Sequence, residues 1–486
     1  MKRQANEYEL IVLGTGLAGL IAGTLLSIKN HEVLLLKEKK YHSFFTKEGY
    51  RFFPFSNFLE KRLKLNFILK LAQALGLSLF SGDREEERWV QTRPGKLKEK
   101  VSFQVILPKA RIDLFYKPSL FQKELEREFP KETAQIETFY QEMGQIRQLL
   151  KTMEAEESSG LFFPVMARSL IKRWLKFENL PKGRMDERLS LFSKEFREFI
   201  QLQLISFGNL HSNQFPISLA AYLLFSDEKD EWASEMDVEK LKETIFGKYF
   251  QSGGRVEEIE GVEKVEMRRR REFILSIKGR QGLLRSNLLL LNSPLHRLSN
   301  LLGRKEKVLS PWREKVKPHS MLIPLFLVIR EKAMPVGMRD LLVSILDLNK
   351  PYEGGNVLFI SISRKGDETE APEGKRALAV QSLWDQNSFT EHQKGVMEHL
   401  HHLFPFLEKY IEFADWSWAE EQSSCWSYPH FLCEAAPGFL WREGVAPIHI
   451  SKNLYFTGKE NFPYLGLEGE VLSGLMVGQQ ILQKLS

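Results

Sequence analysis

The stretch that most constrains this chain is Tyr8 to Lys40, YELIVLGTGLAGLIAGTLLSIKNHEVLLLKEKK. Leu10 to Leu13 is an apolar run long enough for a buried parallel strand and too short for a helix. Gly14, Gly16 and Gly19 follow as G-x-G-x-x-G. In a dinucleotide turn the first glycine permits the tight bend, the second lets a pyrophosphate approach the backbone, and the third lets the helix pack close to the strand. The predicted helix, Leu17 to Ile28, aims its N-terminus at the phosphates, where N–H groups and the helix dipole collect positive potential. Val33 to Leu36 reads as the second buried strand. The motif alone is weak, but set between a strand and a helix, with a second strand on schedule, it specifies a nucleotide turn. Gly14, Thr15, Gly16, Leu17, Ala18 and Gly19 are the candidate contacts.

The pattern departs at one informative place. An acid should end the second strand, about 20 residues after the glycines, to hold the ribose hydroxyls. Counted without gaps, that position is Lys37, and Glu38 comes next. One residue in a strand separates the two faces of the sheet. Either the strand end is twisted so that Glu38 reaches the ribose, or the ribose contact is gone. A lysine there also suits a 2′-phosphate, which keeps an NADPH site among the readings.

At 486 residues the chain exceeds what one core usually supports, so two or more subdomains are expected. The 35 phenylalanines imply large aromatic cores or an apolar substrate cavity. A net charge of +6 is modest for this length and gives no indication of nucleic acid. Cys425 and Cys433 define neither a zinc site nor a disulfide framework and fit a reducing compartment. No apolar signal region precedes the first strand, and no stretch reaches the roughly 20 apolar residues of a spanning helix. The expectation is a cytoplasmic protein. His399, His401 and His402 have no acid or cysteine at ligand spacing, so no metal is expected. No Ser-His-Asp arrangement, HExxH or Walker sequence supports hydrolase or NTPase chemistry.

Along the chain, residues 59–77 read as an amphipathic helix. Residues 88–116 read as a strand pair turning at Pro94-Gly95, and Pro118 to Glu157 as a long helical region. Residues 161–177, LFFPVMARSLIKRWLKF, are apolar and basic with no acid. Such a helix either lies in a membrane interface or covers a core with its basic side in water. Residues 186–226 and 237–250 look helical. RVEEIEGVEKVEMRR, REFILSIK and NLLLLNSP look like strands. Residues 319–385 suggest an antiparallel sheet with one face buried, followed by a helix from Glu391 to Tyr410. The tail is a strand (NLYFTG), a glycine-rich loop and a final helix.

Three blocks, in order, resemble flavin-dependent oxidoreductases of the amine oxidase and phytoene desaturase type. They are residues 14–36, then GGRVEEIEGVEKVE at 253–266 followed by NLLLLNSP, and NLYFTGKENFPYLGLEGEVLSGLMVGQQIL at 453–482. The resemblance implies an α/β chain, with a Rossmann-like FAD-binding domain and a second, mixed α+β substrate domain. The implied FAD-binding parts are 1–90, 236–310 and 441–486. The substrate parts are 91–235, helical and with any membrane contact at 161–177, and the sheet at 311–440. It implies FAD contacts at Val262, Gly458, Lys459, Glu460, Gly466, Leu467 and Gly469 beside the first turn and Lys37-Glu38. The implied chemistry is hydride or electron transfer between a hydrophobic, isoprenoid or lipid-like substrate and the flavin. Departures cluster in the flavin-facing shell. KKYHSFF stands where the family has Gly-Gly-Arg, and FPFS follows Gly49 to Phe52. The glycine pair before Val238 is Glu235-Met236-Asp237, and Lys459 follows Gly458 where many members have an acid.

Two functions from different classes follow. One is an FAD-dependent oxidoreductase, cytoplasmic or peripheral on the inner membrane. The other is a cofactor-poor relative of the same fold that binds a lipid or a protein. An NADPH enzyme would have no use for the last block. No catalytic side chain is singled out. Tyr50, Phe52, Trp426, Tyr428 and Tyr464 are aromatic candidates for a cavity near the flavin, and core packing is the alternative for each.

Overall fold

In a computed structural model of the chain the described residues are 6–39, 45–52, 65–77, 101–115, 117–157, 183–208, 210–211, 215–225, 238–268, 272–293, 316–384, 388–417, 431–435, 449–462 and 465–486. The opening unit forms as its pattern dictates: β1 (Glu7–Leu13), α1 (Leu17–Ile28) and β2 (Val33–Glu38). The two strands are parallel, with Leu10 opposite Val33 and Leu13 opposite Leu36. Distant segments complete the sheet. β11 (Leu284–Leu291) runs parallel to the other side of β1, and β19 (Leu454–Phe456) runs parallel to β11. β18 (His449–Ser451) edges β19, and β8 (Arg255–Ile259) lies parallel to β2. The order is β18-β19-β11-β1-β2-β8, and the hairpin of β9 (Val262–Met267) and β10 (Phe273–Ile277) joins β11.

Strand alternation divides the apolar residues between two cores. Leu10, Val12, Val33 and Leu35 face α1, α8 (Val238–Gln251) and α11 (Gly466–Leu485). Ile11, Leu13, Leu34 and Leu36 face the β9–β10 hairpin with Ile259, Phe273 and Leu275. α11 closes on α1 through glycines. A Cβ on Gly474 would lie 2.6 Å from the Ala18 carbonyl oxygen, and one on Gly478 would lie 2.8 Å from Leu25 Cδ1. α2 (Leu65–Leu75) packs beside both helices; residues 59–64 of its expected span lie outside the described ones.

The second sheet has the order β6-β5-β13-β14-β15-β12-β17-β7, with β16 beside β12. Its strands are β5 (Val101–Leu107), β6 (Ala110–Phe115), β7 (Leu210–His211), β12 (Val316–Arg330), β13 (Leu341–Ile345), β14 (Val357–Ile362), β15 (Lys375–Trp384), β16 (Ile411–Asp415) and β17 (Phe431–Ala435). The strands of 319–385 pair antiparallel, as their alternation predicts, and the parallel pairs β5–β13 and β17–β7 make the whole sheet mixed. Both faces are covered, which corrects the one-sided expectation. Val343, Ile345, Val357 and Phe359 face a helical layer, while Leu342, Leu358 and Ile360 face α9 (Phe389–Leu403) and α10 (Leu407–Tyr410). The helical layer holds α3 (Pro118–Glu128), α4 (Thr133–Glu157), α5 (Met185–Leu189), α6 (Lys194–Phe207) and α7 (Ile217–Leu224).

Proline explains two boundaries the periodicity overran. The 118–157 region breaks before Thr133, around Pro130, and the 391–410 region breaks at Pro405. The β5–β6 hairpin turns at Pro108-Lys109; Pro94-Gly95 lies outside the described residues, as do residues 161–177, Trp426, Tyr428 and Tyr464. The short hairpin β3 (Phe45–Lys47) and β4 (Tyr50–Phe52) leans on the second sheet. Tyr50 and Phe52 are 3% and 2% exposed and pack with Phe326 and Phe413. Both are core residues. Among the described residues, no helix is long and apolar enough to cross a membrane.

Candidate functional site

The three sequence blocks converge at the C-terminal edge of the first sheet, and Asn292 is their junction. It follows β11, and its main-chain N–H donates to Leu13 O at 2.9 Å. Its side-chain Nδ2 donates to Thr457 O at 3.1 Å, which ties the end of β11 to the last block. Its amide oxygen lies under the glycine turn. A Cβ on Gly16 or Gly19 would come within 2.7 or 2.6 Å of Asn292 Oδ1. Gly14 adopts φ +103°, and a Cβ there would collide with the Asn292 carbonyl oxygen. The glycine spacing therefore serves a close approach inside the protein as well as one from outside. Within NLLLLNSP, Asn292 reads only as part of a strand end. Its signal was available: a polar residue closing a run of four leucines.

α1 leaves this turn with Gly16 as its N-cap, no side-chain cap and no acid in its first turn. Its first N–H groups cannot find partners within the helix. Thr15, Leu17, Ala18 and Gly19 are buried around them. This is an anion-seeking helix end.

The last block is folded against the same place. Thr457 Oγ1 and Ser473 Oγ lie 2.7 Å apart, Ser473 donates to Asn461 Oδ1 at 2.7 Å, and the Gly458 N–H donates to Ser473 at 3.3 Å. Gly458 takes φ +154° and opens the short turn Lys459–Asn461, where Lys459 and Glu460 are half-buried. Gly466, at φ +54°, starts α11, and Leu467 is buried beside it. A Cβ on Gly469 would lie 2.6 Å from Phe462 O. Two buried carboxylates occupy the first turns of α11: Glu468, 4% exposed, and Glu470, 8%. Tyr222 on α7 donates its hydroxyl to Glu468 Oε2 at 2.7 Å, and the buried Arg147 of α4 lies 4.9 Å over the Tyr222 ring. The helical layer of the second sheet thus reaches the N-terminal end of α11, a contact with no sequence signature.

At the end of β2 the side chains separate. Glu38 is 8% exposed, on the side of the sheet shared by Leu34 and Leu36. Lys37 lies on the α1 side and pairs with Glu258 of β8, Nζ to Oε1 2.9 Å. Lys39 and Glu260 repeat the pairing at 2.8 Å. Tyr249 of α8 fixes the start of both strands: its hydroxyl lies 2.9 Å from Val33 O and 2.8 Å from Arg255 O, with one proton to share between them, and it accepts the Arg255 N–H at 3.1 Å. Burial pushes its phenol well above the usual range, so it stays a neutral donor. Val262, half-buried at the start of β9, packs against the β9–β10 side of the sheet.

A βαβ unit with a glycine turn, closed by a C-terminal helix and set against a large mixed sheet, is an α/β architecture shared with solved amine oxidases. Among solved structures of this fold, a double mutant of putrescine oxidase is 13% identical with a TM-score of 0.56, over 98% of this chain and 99% of that one. An oxidoreductase from Methanosarcina mazei is 14% identical with a TM-score of 0.58, over 97% and 100%. A Rab GDI from Plasmodium falciparum is 11% identical with a TM-score of 0.56, over 99% of each chain. Neither a protein-family model nor a curated protein sequence matches the chain.

Proposed function

We propose that this chain is an FAD-dependent oxidoreductase acting on a hydrophobic, isoprenoid or lipid-like substrate. The observation that carries the reading is the uncapped N-terminus of α1, emerging from a glycine turn that Asn292 joins to the last block. The residues present fit a dinucleotide there. The α1 N–H groups suit a pyrophosphate, and the turn at 457–461 and the start of α11 would line the path towards the flavin. Bound flavin supplies hydride or electron acceptance. The protein supplies placement and the exclusion of water. Gly14 to Gly19 would hold the diphosphate, and the Tyr222–Glu468 contact would fix the start of α11 relative to the substrate side. The 35 phenylalanines of the chain suit an apolar substrate, and the basic apolar segment 161–177 suits its collection at a membrane surface.

Lys37, at the position for an acid, favours a second reading: a scaffold that keeps the fold and binds a lipid or a protein without redox chemistry. The same fold is shared by a Rab GDI as well as by oxidases. One measurement separates the two. Protein purified without added cofactor should be yellow, with near-stoichiometric flavin released on denaturation and identified as FAD. Colourless protein that takes up no added FAD supports the scaffold.

A further inference from the structure

We propose that Glu258, on the strand beside β2, supplies the carboxylate for the adenosine ribose hydroxyls, held in place by Lys37. The inference rests on the FAD reading above. The acid is expected at the end of β2, and the residue there is Lys37. Glu38 does not substitute for it. Strand alternation sends Glu38 to the side of Leu34 and Leu36, where it lies opposite Ile259 and is 8% exposed. Lys37 leaves the opposite face, with Val33 and Leu35, on the side of α1 and the glycine turn.

β8 runs parallel to β2 with Lys37 opposite Glu258, so the two side chains leave the same face. Neighbouring strands are about 4.8 Å apart, within the span of a glutamate side chain. A carboxylate drawn 2.9 Å from Lys37 Nζ therefore returns to the end of β2, where the acid is missing. The register is held at one end by the Tyr249 hydroxyl and at the other by the Lys39–Glu260 pair. The Glu258 side chain remains 57% exposed beside Lys37.

Charge sets the specificity. An isolated lysine here would favour a 2′-phosphate. Paired with Glu258 it is neutralised, and the carboxylate repels a 2′-phosphate while accepting hydrogen bonds from ribose hydroxyls. The pair selects an unphosphorylated adenosine, as in FAD, against the NADPH alternative.

The test uses the purified full chain, Glu258→Gln, and the exchanged pair Lys37→Glu with Glu258→Lys. Equilibrium dialysis measures binding of FAD, 5′-ADP and adenosine 2′,5′-bisphosphate, and circular dichroism follows the fold. An exposed ion pair contributes little to stability, so these changes should leave the fold intact. Glu258→Gln should weaken FAD roughly ten- to a hundredfold. With Lys37 released, it should shift preference from 5′-ADP towards the 2′,5′-bisphosphate. The exchanged pair, with its glutamate now on β2, should recover FAD binding. Unchanged FAD binding by Glu258→Gln overturns the assignment and leaves the FAD reading standing. Wild-type protein that binds neither FAD nor 5′-ADP overturns both.

Discussion

At the scale of single residues, the glycine turn answers to two demands. Gly16 has extended backbone angles, φ −61° and ψ 159°, that any residue adopts. What excludes a side chain inside the protein is Asn292 Oδ1. Gly16→Ala should therefore destabilise cofactor-free protein by about 1–3 kcal/mol through overpacking. In an Asn292→Ala background the same change should cost clearly less, because the nearest atoms have been removed. Urea unfolding of the four proteins gives the coupling, and additive effects would show that Asn292 is not the obstacle. The glycine motif was fully legible in the sequence, as was the anomaly at Lys37. Asn292 showed only as a polar residue ending a leucine run, and Glu258 and the Tyr222–Glu468 contact did not show at all. Each acts across a gap in sequence that only the folded sheet closes, and spacing rules describe neighbours along one element.

At the scale of elements, small residues let α11 close on α1, and the sequence does not distinguish them from incidental glycines. Gly474 faces the Ala18 backbone, whereas Gly247, within α8, has nothing near its absent Cβ. Gly247→Ala should stabilise the protein by roughly 0.5–1 kcal/mol through helix propensity. Gly474→Ala should destabilise it in spite of the same propensity gain. Thermal unfolding of the two variants reads the signs directly, and a stabilising Gly474→Ala would mean that the helices part easily.

α9 shows another device. His392 and His399 meet Ser382 and Ser344 of the second sheet, each at 2.8 Å, and His399 also meets Gly355 O at 2.9 Å. Burial lowers the His399 pKa to about 4 against an ordinary 6.5, and its bond to Gly355 opposes part of that shift. Between those values the unfolded chain binds the proton and the folded one does not. The contribution is therefore complete above the unfolded value and is lost as pH falls towards the folded one, by about 3 kcal/mol in all. The urea midpoint should drop from about pH 7 to 5, and His399→Gln should flatten that slope. An equally steep slope in the variant would assign the effect elsewhere. Strand and helix identities were largely readable from periodicity. The mixed pairing of the second sheet was not, because β5–β13 and β7–β17 depend on chain crossings rather than on local pattern.

At the scale of the whole molecule, a ligand at the junction of the three blocks touches parts drawn from across the chain. On the FAD reading, saturating FAD should raise the unfolding midpoint of flavin-depleted protein. The expected gain is about 2.7 kcal/mol at a hundredfold excess over Kd. An unchanged midpoint at saturation would contradict the reading. The likeness of the architecture to both oxidases and a Rab GDI is why fold leaves the chemistry open; the edge of the first sheet is where the two readings part.

The pairing of β11 with β19, and of α1 with α11, also has a consequence in time. Residues 7–28 leave the ribosome early and residues 454–485 late, at roughly 5–20 residues per second. During that interval the Ala18–Leu25 seat on α1 lacks its covering helix, and the end of β11 lacks its neighbour on one side. An open edge of this kind is a template for other strands. The nascent chain is therefore most vulnerable to wrong partners before residues 454–485 emerge, and the junction of the three blocks is completed only once they do.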